Sequence, residues 1–212
     1  MSIKITTLVE NSVYGKGLQG EHGLSLLVDT GEHRLLFDTG ASDLFIRNAR
    51  ILGIDLKEVD FLVLSHGHRD HTGGLHHFLA VNDKAQVVCK RELFRPKFKD
   101  ERENGVMQPD ALDSTRFRFV DEVTELCRGV FVFPQLPVTD EEDTHFEHFF
   151  TWTEGRKQAD TFTDELALAL KQGAEVSVLS ACSHRGITNI IRAVQEYFPQ
   201  TSLKLVLGGF HI

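Results

Sequence analysis

Ser65-His66-Gly67-His68-Arg69-Asp70-His71-Thr72-Gly73-Gly74 places four metal-capable side chains within six positions. The apolar run Phe61-Leu62-Val63-Leu64 stands directly before it and reads as a buried strand. Gly73-Gly74 then lets a helix begin close by. The side chains therefore sit on a loop at the C-terminal end of a strand, where open α/β sheets usually place their sites. Imidazole and carboxylate together suit zinc, iron or manganese better than magnesium or calcium, which prefer all-oxygen shells. His66 and His68, two apart on an extended segment, can point the same way. Asp70 and His71 follow a turn and can face a neighbouring ion, so the spacing favours two metals. The competing reading, a polar surface loop rich in His, must gather three His and an Asp around one strand end by chance.

Working outward, residues 3–9 alternate and are β-branched, which predicts a strand. Leu24–Val28 and Arg34–Phe37 read as two more, joined by a turn at Thr30–His33, and the second ends at Asp38-Thr39-Gly40. Residues 42–52 predict a helix with Ser42 as N-cap, closed by Gly53. Residues 74–81 look helical and Gln86–Cys89 extended. The mixed-charge stretch 90–115 reads as a solvated loop or lid. Phe117–Val120 and Val130–Phe133 read as strands, the latter stopped by Pro134 and Pro137. His145 and His148 are three apart with no helix signal, so a loop or hairpin flanking a pocket is favoured over a ligand pair. Leu166–Leu170, Val176–Ser180 and Leu203–Leu207 predict strands, with a helix over 187–197.

One device recurs along this order. Strands end in small residues plus an acidic or metal-capable side chain: Asp38, the 66–71 cluster, His184 and His211. Each has an ordinary alternative. Asp38 can open a turn or cap the next helix, His184 can be a capping or core histidine, and His211 can be a frayed end. If the four strand ends converge, one pocket holds them all.

Composition narrows the function. The 212 residues suffice for one domain of moderate size or two small halves sharing a core. With 23 Lys+Arg against 31 Asp+Glu the net charge is −8, which argues against a nucleic-acid partner bound through phosphate neutralisation. Cys89, Cys127 and Cys182 are odd in number and form no CxxC, so a disulfide framework is not expected and a reducing cytoplasm fits. The start, Met1-Ser2-Ile3-Lys4-Ile5, lacks a signal peptide's build. No apolar run approaches the ~20 residues of a spanning helix, so no membrane role is expected.

Phe37-Asp38-Thr39-Gly40, the 65–74 stretch and Cys182-Ser183-His184-Arg185-Gly186 together resemble the metallo-β-lactamase superfamily. Glu21–Ser25, Asp164–Leu168 and Gly208–His211 are similar to its branch of metal-dependent hydrolases and dihydropterin-ribofuranosylaminobenzene phosphate synthases. The resemblance runs from about residue 3 to the end and is weakest across 90–160. It is specific for the superfamily and says little about the substrate. It implies an α+β fold, a four-layer αββα sandwich, with 1–212 as a single domain carrying a less regular lid or insertion at about 90–160.

The resemblance also implies a dinuclear site. His66, His68 and His184 bind one ion, Asp70 and His71 the other, and Asp38 orients a ligand. Two zinc ions are expected, with manganese or iron as alternatives. A water or hydroxide shared by the ions is the implied nucleophile, with Asp70 helping to hold it. Members of this branch usually continue past Gly-Gly-Phe-His with a helix, a strand and a further metal-binding His. Here only Ile212 follows His211, so the last C-terminal elements are expected to be missing. His211, helped by the Ile212 carboxylate, is then expected to complete the second ion.

The expected function is that of a metal-dependent hydrolase acting on a small anionic molecule. A metal-binding protein with weak or no catalysis and a pterin-linked transferase or synthase are the alternatives. A homo-oligomer is left open, and the superfamily's name does not make this a β-lactamase.

Overall fold

The computed structural model describes residues 3–108 and 111–211. Met1 and Ser2, two residues of the 90–115 stretch, and the Ile212 carboxylate invoked above lie outside the described residues. The chain forms two compact units, residues 1–89 with 104–118, and residues 90–103 with 119–212.

In the first unit, β1 (Lys4–Val9), β2 (Ser25–Asp29) and β3 (Arg34–Phe37) form an antiparallel meander. β4 (Phe61–Val63) and β5 (Gln86–Cys89) add in parallel beside β3. β8 (Phe117–Phe119) closes the far edge of this six-stranded sheet. Leu35, Leu36, Phe37, Leu62 and Val63 are fully buried. Such near-continuous apolar runs are what parallel strands covered on both faces require. Helix α1 (Leu44–Ile51) buries Leu44, Phe45, Ile46 and Ala49. Its Asn48 donates to the carbonyls of Leu8 and Gln19 at 2.7 and 2.8 Å, tying the helix to β1 and the following loop. Ser42 is not its N-cap. Asp43 holds that position without a side-chain cap bond. The Ser42 hydroxyl still accepts the Leu44 N–H at 3.1 Å, and the Glu21 carboxylate reaches across to accept that hydroxyl and the Ala41 and Ser42 N–H groups, fixing the approach to the helix. Two short helices, α2 (Arg69–Thr72) and α3 (Leu75–Val81), follow β4.

In the second unit, β9 (Thr124–Cys127), β10 (Val130–Phe133), β13 (Ala167–Gln172) and β14 (Glu175–Ser180) pair antiparallel. Helix α4 (Ile187–Tyr197) carries the chain to β15 (Ser202–Gly208), which lies parallel to β14. The α4 stripe of Ile190 and Val194 packs on Phe133, Ala167, Ala169, Val176 and Val178. Deleting such a side chain from a packed core costs about 2–5 kcal/mol. A smaller sheet, ordered β12 (Arg156–Ala159), β11 (Phe149–Thr153), β6 (Lys97–Lys99) and β7 (Arg102–Glu103), completes the unit. The stretch 90–115, expected to be a solvated loop or lid, thus carries β6 and β7. The architecture is α+β throughout.

Candidate metal centre

In the first unit, the ends of β3 and β4 bring Asp38, His66, His68, Asp70 and His71 together. β3 and β4 are parallel neighbours with Phe37 level with Val63, so the residues just past each strand emerge side by side. Asp38 adopts a left-handed φ of 60° and is wholly buried. Its carboxylate accepts the Ser65 N–H at 2.7 Å, the Ser65 hydroxyl at 2.6 Å and His71 Nδ1–H at 2.7 Å. With the proton on Nδ1, a neutral His71 ring carries its lone pair on Nε2. A carboxylate behind an imidazole, fixing tautomer and ring direction, is the usual support of a metal-ligating histidine.

The other rings crowd the same place. His66 lies 4.7 Å from His68 and 4.4 Å from His71, centroid to centroid. His66 Nδ1 is 2.8 Å from the Ser65 hydroxyl. Three buried imidazoles this close form a donor set that a soft or borderline dication fits. Asp70 sits on the first turn of α2, with its carboxylate 3.4 Å from His71 Nε2 and 3.3 Å from His22 Nε2. Burial works against its ionised form, but His71, His68 and His22 outweigh it and hold the carboxyl well below the usual carboxylate range. The approach is tight enough to demand glycine. A Cβ on Gly74 would strike the Thr39 carbonyl and the Phe45 ring.

In the second unit, the ends of β14 and β15 bring His184 beside His211, with ring centroids 4.7 Å apart. His184 is wholly buried and His211 is exposed. His184 Nδ1–H donates to the His145 carbonyl at 3.0 Å, which again leaves the neutral ring's lone pair on Nε2. The Phe162 ring stacks flat on His184, 3.7 Å between centroids and 11° between planes. The Glu165 carboxylate accepts the backbone N–H groups of His184 and Arg185, both at 2.8 Å. Burial pushes the Glu165 carboxyl up to about 7 against the pull of those two bonds. His145 and His148 line a cavity of about 230 Å³ with Lys99, Thr144, Glu147, Phe149 and His211. His145 holds His184 through its carbonyl, and His148 Nδ1 faces Asp100 at 3.1 Å.

Three contributors escaped the sequence reading. His22 touches Asp70, but the Glu21-His22-Gly23 stretch carried only a resemblance. Phe162 and Glu165 hold His184 from its face and from its backbone. Neither has a spacing signal, because each acts across sequence separations of 19 or more. Cys182 entered only in the cysteine count and within the Cys182–Gly186 stretch of the resemblance, never as a ligand. Its place two residues before His184 repeats the His66–His68 spacing, and that signal was readable. The donor atoms of Cys182, His184 and His211 all lie within 4.8 Å of one another.

Comparison with known proteins points one way. The model of the metallo-beta-lactamase superfamily matches residues 18–163. A 7,8-dihydropterin-6-methyl-4-(beta-D-ribofuranosyl)-aminobenzene-5'-phosphate synthase of Methanocaldococcus jannaschii is 29% identical, over 100% of this chain and 78% of its own. A crystal structure of a metal-dependent hydrolase of the beta-lactamase superfamily superposes with a TM-score of 0.84 at 34% identity, covering 99% of this chain and 77% of the other. A metallo-β-lactamase from Novosphingobium pentaromativorans reaches a TM-score of 0.53 at 17% identity, covering 88% of this chain and 70% of the other. That last likeness speaks for the fold alone.

Proposed function

Since this chain belongs to the metallo-β-lactamase superfamily, its match covering residues 18–163, we propose that it is a metal-dependent hydrolase acting on a small anionic molecule in a reducing compartment, the cytoplasm. The observation that carries this is the buried Asp38–His71 pair beside His66, His68 and Asp70. A buried Asp beneath a histidine whose neighbours are two more imidazoles and a carboxylate has the chemistry of a ligand cluster. A packed core does not need it.

Within the first unit we assign His66 and His68 to one ion and Asp70 and His71 to a second, and within the second unit His184 and His211 are the metal-capable pair. Zinc suits this donor set best, and manganese or iron are the alternatives. Bound metal supplies Lewis acidity, lowering the pKa of a water and polarising the bond under attack. The residues do the rest. Asp38 keeps the His71 proton on Nδ1. Asp70, ionised at neutral pH, accepts a hydrogen bond from the attacking water and orients it.

The relative of known activity favours a second reading. The pterin-linked synthase from Methanocaldococcus matches along the whole of this chain, so a pterin-linked transferase or synthase is the alternative. The test is turnover by zinc-loaded and chelator-treated protein on a panel of phosphodiesters, lactones and thioesters. Dihydropterin and ribosylaminobenzene phosphate substrates run in parallel. Chelator-sensitive hydrolysis supports the first reading, and activity confined to the pterin substrates supports the second. If no substrate turns over in a chelator-sensitive way, the chain binds metal without efficient catalysis.

A further inference from the structure

We propose that Cys182 is a thiolate ligand of the metal centre, alongside His184 and His211. The proposal rests on the metalloenzyme reading above and deepens it, because it changes the donor set and with it the choice of metal. The argument lies within the second unit. Cys182 Sγ, a His184 ring nitrogen and a His211 ring nitrogen lie within 4.8 Å of one another. Donors sharing one tetrahedral zinc, at about 2.3 Å for sulfur and about 2.0 Å for nitrogen, stand roughly 3.5 Å apart.

The backbone is built to hold them there. Ser183, between the two donors, takes a left-handed φ of 57°, so the chain turns sharply between Cys182 and His184. The Ala181 carbonyl accepts N–H groups from both Gly209 and Phe210, at 2.7 and 3.1 Å, pinning the end of β15 to the end of β14. Phe210 and His211 are themselves left-handed, at φ of 59° and 50°, which folds the chain back at this point. Gly208 allows the approach, since a Cβ there would collide with the Ser180 carbonyl. Three left-handed non-glycine residues around one thiol and two imidazoles are costly unless the arrangement is used.

Two other roles for Cys182 fit less well. A structural cysteine behaves as a small apolar side chain in a core, as Cys89 does at the end of β5. Cys182 is only partly buried and its neighbours are imidazoles. A nucleophilic cysteine needs a general base oriented by a third group. Here the best-oriented base, His184, is among the proposed ligands. When the ion binds, the S–H bond gives up its proton to the buffer and the sulfur's electron pair forms the bond to the metal. A soft sulfur donor moves the preference from manganese towards zinc.

Cobalt(II) titrated into demetallated protein tests this. Visible ligand-field bands report binding, and an intense near-ultraviolet sulfur-to-cobalt band reports the thiolate. The expected result is both in the wild type, with the near-ultraviolet band lost in Cys182→Ser and kept in Cys127→Ser. Zinc affinity in Cys182→Ser is expected to fall at least ~10-fold, the lower end of what disturbing a metal's supporting shell costs. Visible bands without the near-ultraviolet band in the wild type overturn the thiolate and spare the metalloenzyme reading. Absence of both overturns both. Should Cys182→Ser fail to fold, alkylation of the wild type followed by mass spectrometry replaces it. Zinc should slow modification of Cys182 at least ~10-fold, with reversal by chelator. Unchanged alkylation of Cys182 in zinc overturns the proposal.

Discussion

Asp38 shows how one residue can carry both the fold and the chemistry of a site. Its carboxylate takes three donors, from the Ser65 backbone, the Ser65 hydroxyl and His71. Removing it takes the acceptor from the buried Ser65 N–H and from His71 Nδ1–H, while the Ser65 hydroxyl keeps His66 Nδ1 at 2.8 Å, and each buried bond lost costs about 1–3 kcal/mol. Asp38→Ala is therefore expected to lower stability by ~2–5 kcal/mol, read as a fall in the urea midpoint with an unchanged slope. Asp38→Asn is the sharper probe. It keeps the shape but removes the charge that favours Nδ1–H on His71, and zinc affinity should drop ~10–100-fold in chelator competition. Unaltered affinity in Asp38→Asn would mean that His71 is not oriented through this bond. At this scale the sequence was informative where donors stand close together along the chain. The 66–71 cluster announced itself, whereas His22, Phe162 and Glu165 had no local pattern because folding alone brings them to their partners.

The segment linking β12 to β13 illustrates the element scale. Lys97, on β6, is almost fully buried and donates to Asp160 at 2.8 Å and to Asp164 at 2.6 Å. Asp160 also accepts the Phe162 N–H at 2.8 Å, which helps hold Phe162 at φ 51° with its ring on His184. The ion cluster is thus a strut between a β-strand and a candidate ligand. Burial works against the Lys97 ammonium, but the two carboxylates outweigh it and raise its pKa. Removing one partner of a buried ion pair costs about 3–5 kcal/mol. Lys97→Met should therefore lower the melting temperature by roughly 6–20 °C at neutral pH. The pH dependence follows from the direction of the shift. A lysine whose folded pKa lies above its unfolded value stabilises fully below about pH 10.4, and that contribution is lost as pH rises through the folded pKa. The melting-temperature gap between wild type and Lys97→Met should stay constant from pH 7 to 9 and narrow in strong alkali. A gap that narrows already at pH 8 would show that the Lys97 proton is not held by the carboxylates. Most longer elements were legible from periodicity: helix 187–197 and strands 34–37 and 86–89 have the same bounds in the structure as in the sequence reading. The short strands of 97–103 were not, because Lys97-Phe98-Lys99-Asp100-Glu101 has the composition of a solvated loop and becomes a strand by pairing with β7 and with the distant β11. The β11–β12 hairpin did carry a sequence signal, Glu154-Gly155 between two short runs, and in the structure both residues take the left-handed φ of a two-residue hairpin turn.

Across the whole molecule, the recurrent strand end is the organising fact. The first unit gathers Asp38 and the 66–71 cluster at β3 and β4, and the second gathers His184 and His211 at β14 and β15. The sequence displayed this repetition without the distances that give it meaning. Net charge bears on what such a site must do. At −8 the protein repels a small anion at long range, so the attraction has to be local, and bound dications are the strongest local source. Removing metal should therefore abolish binding of an anionic substrate and not only its turnover. Stability should follow the metal as well, because the ion binds the folded chain and stabilises it by mass action. At free zinc about a hundred times the dissociation constant the gain is ~2.7 kcal/mol. For a chain of this length that corresponds to roughly 5–10 °C in melting temperature. Zinc-loaded and EDTA-stripped samples compared by scanning fluorimetry should differ by this amount. Magnesium should give no such shift, because nitrogen donors do not suit it. Coincident melting of the two samples would mean that zinc does not occupy a site belonging to the folded protein. An equal shift with magnesium would instead point to an all-oxygen site away from these histidines.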